Sequence, residues 1–202
     1  MLILGAALLA LAAPPSPGEA SFVVEPARSS VTIRVGRSGL LSFAGHTHTV
    51  VAPDLEGRIA AFADDLPKSA VRLSFPAARL TVLERGEPAG DAPRVQEAML
   101  GPKVLDVARF PAITFESVAV SGARTGPGAF RLSIRGSLSL HGVTRPVTLP
   151  LVVEIGPDGL MKATGRLLLR QTDYGIEPVS VAGVVKVKDE LRRTWARETR
   201  LE

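Results

Sequence analysis

The sequence predicts an all-β fold of antiparallel strands that close into a barrel, with one short helix as a crossover. Three observations carry this reading. First, between Phe130 and Ile155 the residues Phe130, Leu132, Ile134, Leu138 and Leu140 alternate with Arg131, Ser133, Arg135, Ser137 and Ser139. After a turn, Val147, Leu149, Leu151, Val153 and Ile155 alternate with Thr148, Pro150 and Glu154. A period of two is the strand period, so the stretch is a hairpin with one apolar and one wet face. Second, similar runs recur along most of the 202 residues, and 19 Gly and 16 Pro supply the turns between them. Third, long alternating strands with few inserted loops expose their edges unless the sheet closes, which favours a barrel over a sandwich.

The elements follow in order. Leu2 to Ala13 is an uninterrupted apolar run ahead of Pro14-Pro15-Ser16-Pro17-Gly18. It is too short for a bilayer, which takes about 20 residues, and it fits the apolar region of a secretory signal, although no Lys or Arg precedes it. Cleavage fits after Ala12 or after Ala20. Residues 1–20 are therefore expected to be a signal peptide and 21–202 one domain, in the periplasm or secreted. Phe22 to Glu25 and Ser29 to Val35 read as short strands around Pro26, and Gly36 to Gly39 as a turn. Leu41 to Val51 is strand-like with a glycine interruption at Gly45. Leu55 to Phe62 is a strand, and Ala70 to Leu83 alternates cleanly with a bend at Pro76. Residues 84–92 are a polar loop. Arg94 to Leu100 is the best helix, with Asp91 as N-cap and Gly101-Pro102 as its stop. Pro111 opens the strand that precedes the hairpin, and Leu160 to Arg170 and Val181 to about Trp195 complete eight to ten strands.

Composition removes several function classes. The absence of cysteine excludes disulfides, thiolate metal sites, a Cys nucleophile and a lipid-anchor Cys. The formal net charge is +4, and its arginines are scattered along strand-like runs. Nucleic-acid binding favours clustered cations with stacking aromatics, and aromatics make up only 4% of the chain, so no nucleic acid is expected. A mildly basic exported protein can still touch an anionic membrane surface transiently.

Four segments carry a resemblance. LSLHGVTRPVTLPL resembles a signature of the YceI-like family, a strand ending in Leu-His-Gly-Val-Thr that passes through Lys/Arg-Pro into the next strand. KVLDVARFPAITFES is similar to that family's helix end and following Phe-Pro-x-Ile-x-Phe-x-Ser. QTDYGI is similar to its Ser-Asp-Phe-Gly-Ile loop, and VAGVVKVKDEL to its last strand. Gly57 fits a family Gly before a strand. The resemblance covers about residues 21 to 195. Two places depart from it: Gln171 stands where the family commonly has Arg, with Arg170 just before, and the helix segment lacks the family's His. The resemblance implies a lipocalin-like barrel with an elongated apolar interior that binds long isoprenoid lipids in the bacterial periplasm.

The residues agree with that expectation without settling it. An eight-stranded barrel either fills with side chains or holds one slim ligand. Periodicity alone leaves the two open, and the resemblance favours the ligand. The expected wall is Leu73, Phe75, Phe115, Leu132, Ile134, Leu138, Leu140, Leu149, Leu151, Val153, Leu167 and Leu169. His46, His48 and Arg170 are candidates for contact with a polar headgroup. His46 and His48, two apart on a strand, are also an alternative metal pair, which would make the protein a metal-binding barrel or a metalloenzyme. An empty structural or stress-response barrel is the third reading. His141 falls on the polar face at a turn. Asp64 and Asp65 read as solvated turn residues, and Asp106, Glu116 and Asp173 as partners of arginines. No Gly-x-Ser-x-Gly or phosphate loop is present. The chain is thus expected to be a non-enzymatic carrier without cofactor. Its partners are an isoprenoid or other long-chain lipid, with a homodimer left open.

Overall fold

The computed structural model describes residues 18–38, 48–85, 90–176, 180–181 and 185–201, with 35–38 and everything from 180 onward described by backbone pairing alone. The expected leader, His46 and the side chain of Trp195 lie outside the described residues. The strands are β1 (Ala20–Val24), β2 (Ser30–Ser38), β3 (His48–Ala52), β4 (Glu56–Ala61), β5 (Ala70–Pro76) and β6 (Thr81–Val82). After the helix α1 (Asp91–Leu100) come β7 (Ala112–Gly126), β8 (Ala129–Leu140), β9 (Val143–Ile155), β10 (Met161–Arg170), β11 (Ser180–Val181) and β12 (Val185–Leu201).

The first six segments are three strands, each broken once at the same level. β1 pairs β4 while β2 pairs β3, and β4 pairs β5 while β3 pairs β6, all antiparallel. A proline stands at each break: Pro26 in one 3-10 turn, Pro53 between β3 and β4, and Pro76 leading into a second 3-10 turn. Proline has no N–H to give to a ladder, so a row of three prolines bends three neighbouring strands together. Leu55 and Leu80, 0% and 2% exposed, turn inward at the bend and seal it.

From β5 the sheet continues through β7, β8, β9, β10 and β12, each pairing with the one before. β12 carries β10 on one edge and both β2 and β1 on the other, with Phe22 opposite Leu201 and Val31 opposite Trp195. Pairing therefore passes round eight strands in chain order and returns to the first. This is the antiparallel barrel that the alternation predicts, and α1 is its helical crossover between β6 and β7. Its inner face holds one continuous apolar cluster running from Phe22 to Ile176. Its outer face carries ion pairs such as Arg72–Glu116 at 2.8 Å, between β5 and β7.

Three boundaries differ from expectation. The helix begins at Asp91, three residues early, because Gly90 takes a left-handed φ of 84° and serves as the N-cap, leaving Asp91 as the first helical residue. Pro93 sits in that first turn, where a missing N–H costs nothing. Residues 36–38 belong to β2, held by pairing with β12, and do not form a turn. β7 continues to Gly126 through a bulge between Ser117 and Ala119 that turns Val118 outward, 66% exposed.

Two inward-facing glycines are packed against large neighbours. A Cβ on Gly136 would collide with the Phe115 ring and the Glu116 carbonyl, and one on Gly165 would collide with Leu151 and the Pro150 carbonyl. Each glycine leaves room for the large side chain of the neighbouring strand to pack directly over it. Gly136→Ala and Gly165→Ala are each expected to cost about 1–3 kcal/mol through overpacking. A lower urea midpoint with an unchanged far-ultraviolet dichroism spectrum checks this.

Candidate functional site

An apolar cavity lies inside the barrel at the end that holds the 62–69 turn and the β9–β10 turn. The space between its walls, with the open solvent at its mouth counted in, is about 830 Å³. Alternation builds the walls: inward residues of β4, β5, β7, β8, β9 and β10 face one another across the bore. Among the described lining residues Ser69 alone has a side-chain hydroxyl, carboxyl, amide or charge, and its Oγ already accepts the Phe62 N–H at 3.0 Å. The described part of the wall thus offers no carboxylate, imidazole, amine or free hydroxyl. What it can do is take an apolar chain out of water, at about 25 cal/mol per Å².

Of the residues expected to form the wall, Leu73, Phe115, Leu132, Ile134, Leu149, Leu151 and Val153 line this cavity. Leu140 lines a second, smaller cavity of about 450 Å³ at the opposite end, together with Ile33, Leu80, Met99, Ile113 and Gln171. Phe75, Leu138, Leu167 and Leu169 are buried and line neither. Sequence reasoning missed Ile59, Val71, Phe62 and Leu66, which belong to the segment that closes the cavity's end. It also missed Arg124. That guanidinium lies 5.1 Å from the centre of the Phe130 ring, which lines the cavity, and its Nη2 donates to Asp64 at 3.1 Å. Arg124 stands directly opposite Phe130 in the β7–β8 register. Only that register, not the alternation, reveals a cation at the rim. On the same turn Lys68 pairs with Asp65 at 2.8 Å, and the hydrogen bond and charge of Asp65 hold its ammonium above the ordinary lysine pKa.

The headgroup candidates lie elsewhere. His48 opens β3, half-buried, and Arg170 is exposed on the outer face of β10; both are at the barrel end remote from the 62–69 turn. No group of three His, Cys, Asp or Glu side chains gathers among the described residues, and His46 is outside them.

The motif segments meet at that same remote end and knit it together. His141 adopts a left-handed φ of 51° in the β8–β9 turn. Its Nδ1 lies 3.1 Å from the Tyr174 carbonyl, which can only accept, so Nδ1 carries the proton. The Phe110 ring meets the imidazole edge-on at 5.0 Å and covers Gly142 so closely that a Cβ there would strike it. Arg145 Nε donates to the Asp173 carbonyl at 2.9 Å. The buried Asp106, at φ 44°, accepts the N–H groups of Arg109 and Phe110 on its carbonyl at 2.9 Å each. The helix exit, the β8–β9 turn and the 171–176 loop are thus joined by their most distinctive residues. His141, Phe110 and Tyr174 line neither cavity.

A family model described as a YceI-like domain matches residues 22–192. No curated protein matches the chain. Among solved structures, Burkholderia cenocepacia BcnA superposes with a TM-score of 0.65 at 16% identity, over 87% of this chain and 98% of its own. A polyisoprenoid binding domain from Saccharophagus degradans, implicated in plant cell wall breakdown, gives 0.62 at 12% identity over 91% and 99%. The Campylobacter jejuni YCEI protein gives 0.54 at 14% identity over 76% and 84%. At such identities the likeness is one of fold.

If His141 is a clasp and not a ligand group, His141→Ala removes one part-buried hydrogen bond and an aromatic edge contact. It is expected to lower stability by about 1–3 kcal/mol. Uptake of an apolar fluorescent probe should stay within twofold of the unaltered protein, as measured by titration alongside thermal unfolding.

Proposed function

The chain belongs to the YceI-like domain family, and on that premise we propose that it binds a long-chain isoprenoid or similar amphiphile inside the barrel and carries or sequesters it without chemical change. The observation that carries this reading is the bore itself, whose described walls are apolar except for one committed hydroxyl. The Saccharophagus degradans relative of like fold, a polyisoprenoid binding domain, supports the same ligand class. Each methylene buried contributes about 0.8 kcal/mol, close to a fourfold gain in affinity. A walled apolar bore therefore needs no further group to hold a tail.

The polar end of the ligand stays at the rim formed by the 62–69 turn, where Arg124, Lys68 and two aspartates are exposed to solvent. This replaces the expected contact with His48 or Arg170, which stand at the other end of the barrel; His46 lies outside the described residues. The protein works outside the cytoplasm, delivered by the apolar leader of residues 1–20. It meets membrane surfaces only transiently.

Organic extraction of freshly purified protein, followed by mass spectrometry, tests the ligand class. A prenyl or other long-chain lipid is expected at a fixed ratio to protein; protein that is always lipid-free and takes up no added prenyl alcohol would overturn the reading. Ala163→Phe places a ring in the cavity and should weaken uptake at least tenfold, with strand content unchanged by circular dichroism. The export reading is checked by intact mass. Protein recovered from a bacterial periplasm should begin at Ala13 or Ser21, whereas a retained Met1 would count against a cleaved leader.

A further inference from the structure

The two cavities lie on the same inner face of the barrel, one beyond the other. On β7, Phe115 lines the larger cavity, and the next inward residue, Ile113, lines the smaller. On β8, Ile134 lines the larger and Leu140 the smaller, with Gly136 and Leu138 between them. On β5, Leu73 lines the larger, and Phe75, the next inward residue, lines neither. The register places Leu73, Phe115 and Leu138 side by side on adjacent strands and sets Phe75 opposite Ile113. Phe75, Phe115 and Leu138 are 4%, 4% and 2% exposed. What separates them is buried side chains: Phe75, Phe115 and Leu138 on β5, β7 and β8, and Leu167 and Leu169 on β10, between Ala163 of the larger cavity and Gln171 of the smaller.

We infer that the two cavities are halves of a single bore divided by Phe75, Phe115 and Leu138, and that this partition limits the tail seated in the larger half to about three prenyl units. The inference rests on the ligand reading above and adds a length to it. Ile155 and Leu149, both on the wall, bracket the larger half along β9. Six residues at ~3.3 Å span ~20 Å of strand, or about 15 Å along the axis of a barrel whose strands tilt by ~40°. An extended chain advances about 1.2 Å per bond, as a polypeptide does in covering ~3.5 Å over three bonds. Fifteen ångströms therefore hold about twelve main-chain carbons, and each prenyl unit contributes four. A longer tail leaves its remainder at the rim, where it gains nothing from the wall. Phe115 is held in the partition by the bare Gly136 beneath its ring, and Leu138 is its direct neighbour.

Prenyl alcohols of two, three, four and eight units, added singly and read by displacement of a bound fluorescent fatty acid, test this. In the unaltered protein, affinity is expected to rise at least tenfold from two units to three. It should then change by less than threefold from three units to eight. Leu138→Ala opens the partition, so the eight-unit alcohol should bind at least tenfold better than the three-unit one. Phe75→Leu, a smaller change, should move in the same direction by a few fold and keeps the test intact if Leu138→Ala fails to fold. A continued tenfold climb from three to eight units in the unaltered protein would overturn the length limit while leaving the ligand class standing. The same plateau in every folded variant would overturn the partition as its cause. Failure of every prenyl alcohol to bind would overturn the ligand reading and this inference together.

Discussion

Everything inside this protein depends on β12 being paired along both edges. With β10 on one side and β2 followed by β1 on the other, it converts a meander of strands into a circuit. Closure changes what alternation means. In an open sheet, the residues at every second position need a second layer to cover them; in a circuit they cover one another. The inner face is then dry by construction, and the remaining question is how much of the bore the side chains occupy. Two devices answer it. Prolines at 26, 53 and 76 bend three adjacent strands at one level, where Leu55 and Leu80 turn in and fill the space. Towards the end that holds the 62–69 turn, glycines at 136 and 165 leave room for the Phe115 ring and for Leu151 to pack directly over them.

The two ends of the barrel divide the work. At one end, motif residues bind backbone to backbone through single side chains: His141 to Tyr174, Arg145 to Asp173, Phe110 against Gly142. At the other, a turn clipped by Arg124 and Asp64 borders an apolar mouth. A pair with Asp64 98% exposed is screened by solvent and adds little stability.

Much of the fold could be read from the chain because period-two alternation states which residues share a face. The inward residues of β8 and β9 are those that alternation names, and seven of the expected wall residues do line the larger cavity. What alternation does not state is register. Leu140 faces the same interior as Leu132, yet it stands ~26 Å further along β8 and lines a different cavity, and alternation does not say where along the bore a cavity lies. Arg124 was invisible for the same reason: only its pairing opposite Phe130 brings it to the rim. The bend at Pro53 was missed because one proline in a short run signals a break only when its neighbours bend at that level too. The helix start was misplaced because Gly90, not Asp91, supplies the cap, through a left-handed backbone conformation that side-chain preference does not reveal. The motif residues were recognised by their identity, but that they serve as a clasp follows only from the contacts that three separate segments make at one end.

The circuit also has an order in time. Each broken or continuous strand pairs with its successor in the chain, so most of the sheet can form from hairpins as the polypeptide lengthens. The exception is the meeting of the 17-residue β12 with β1 and β2, which joins the two ends of the described sequence. That pairing closes the longest loop in the molecule and is the slow, entropically demanding step. Until it happens, the interior is a trough, wet along its whole length, and its apolar floor is open to any lipid or chaperone nearby. Nothing is enclosed before the last strand is made.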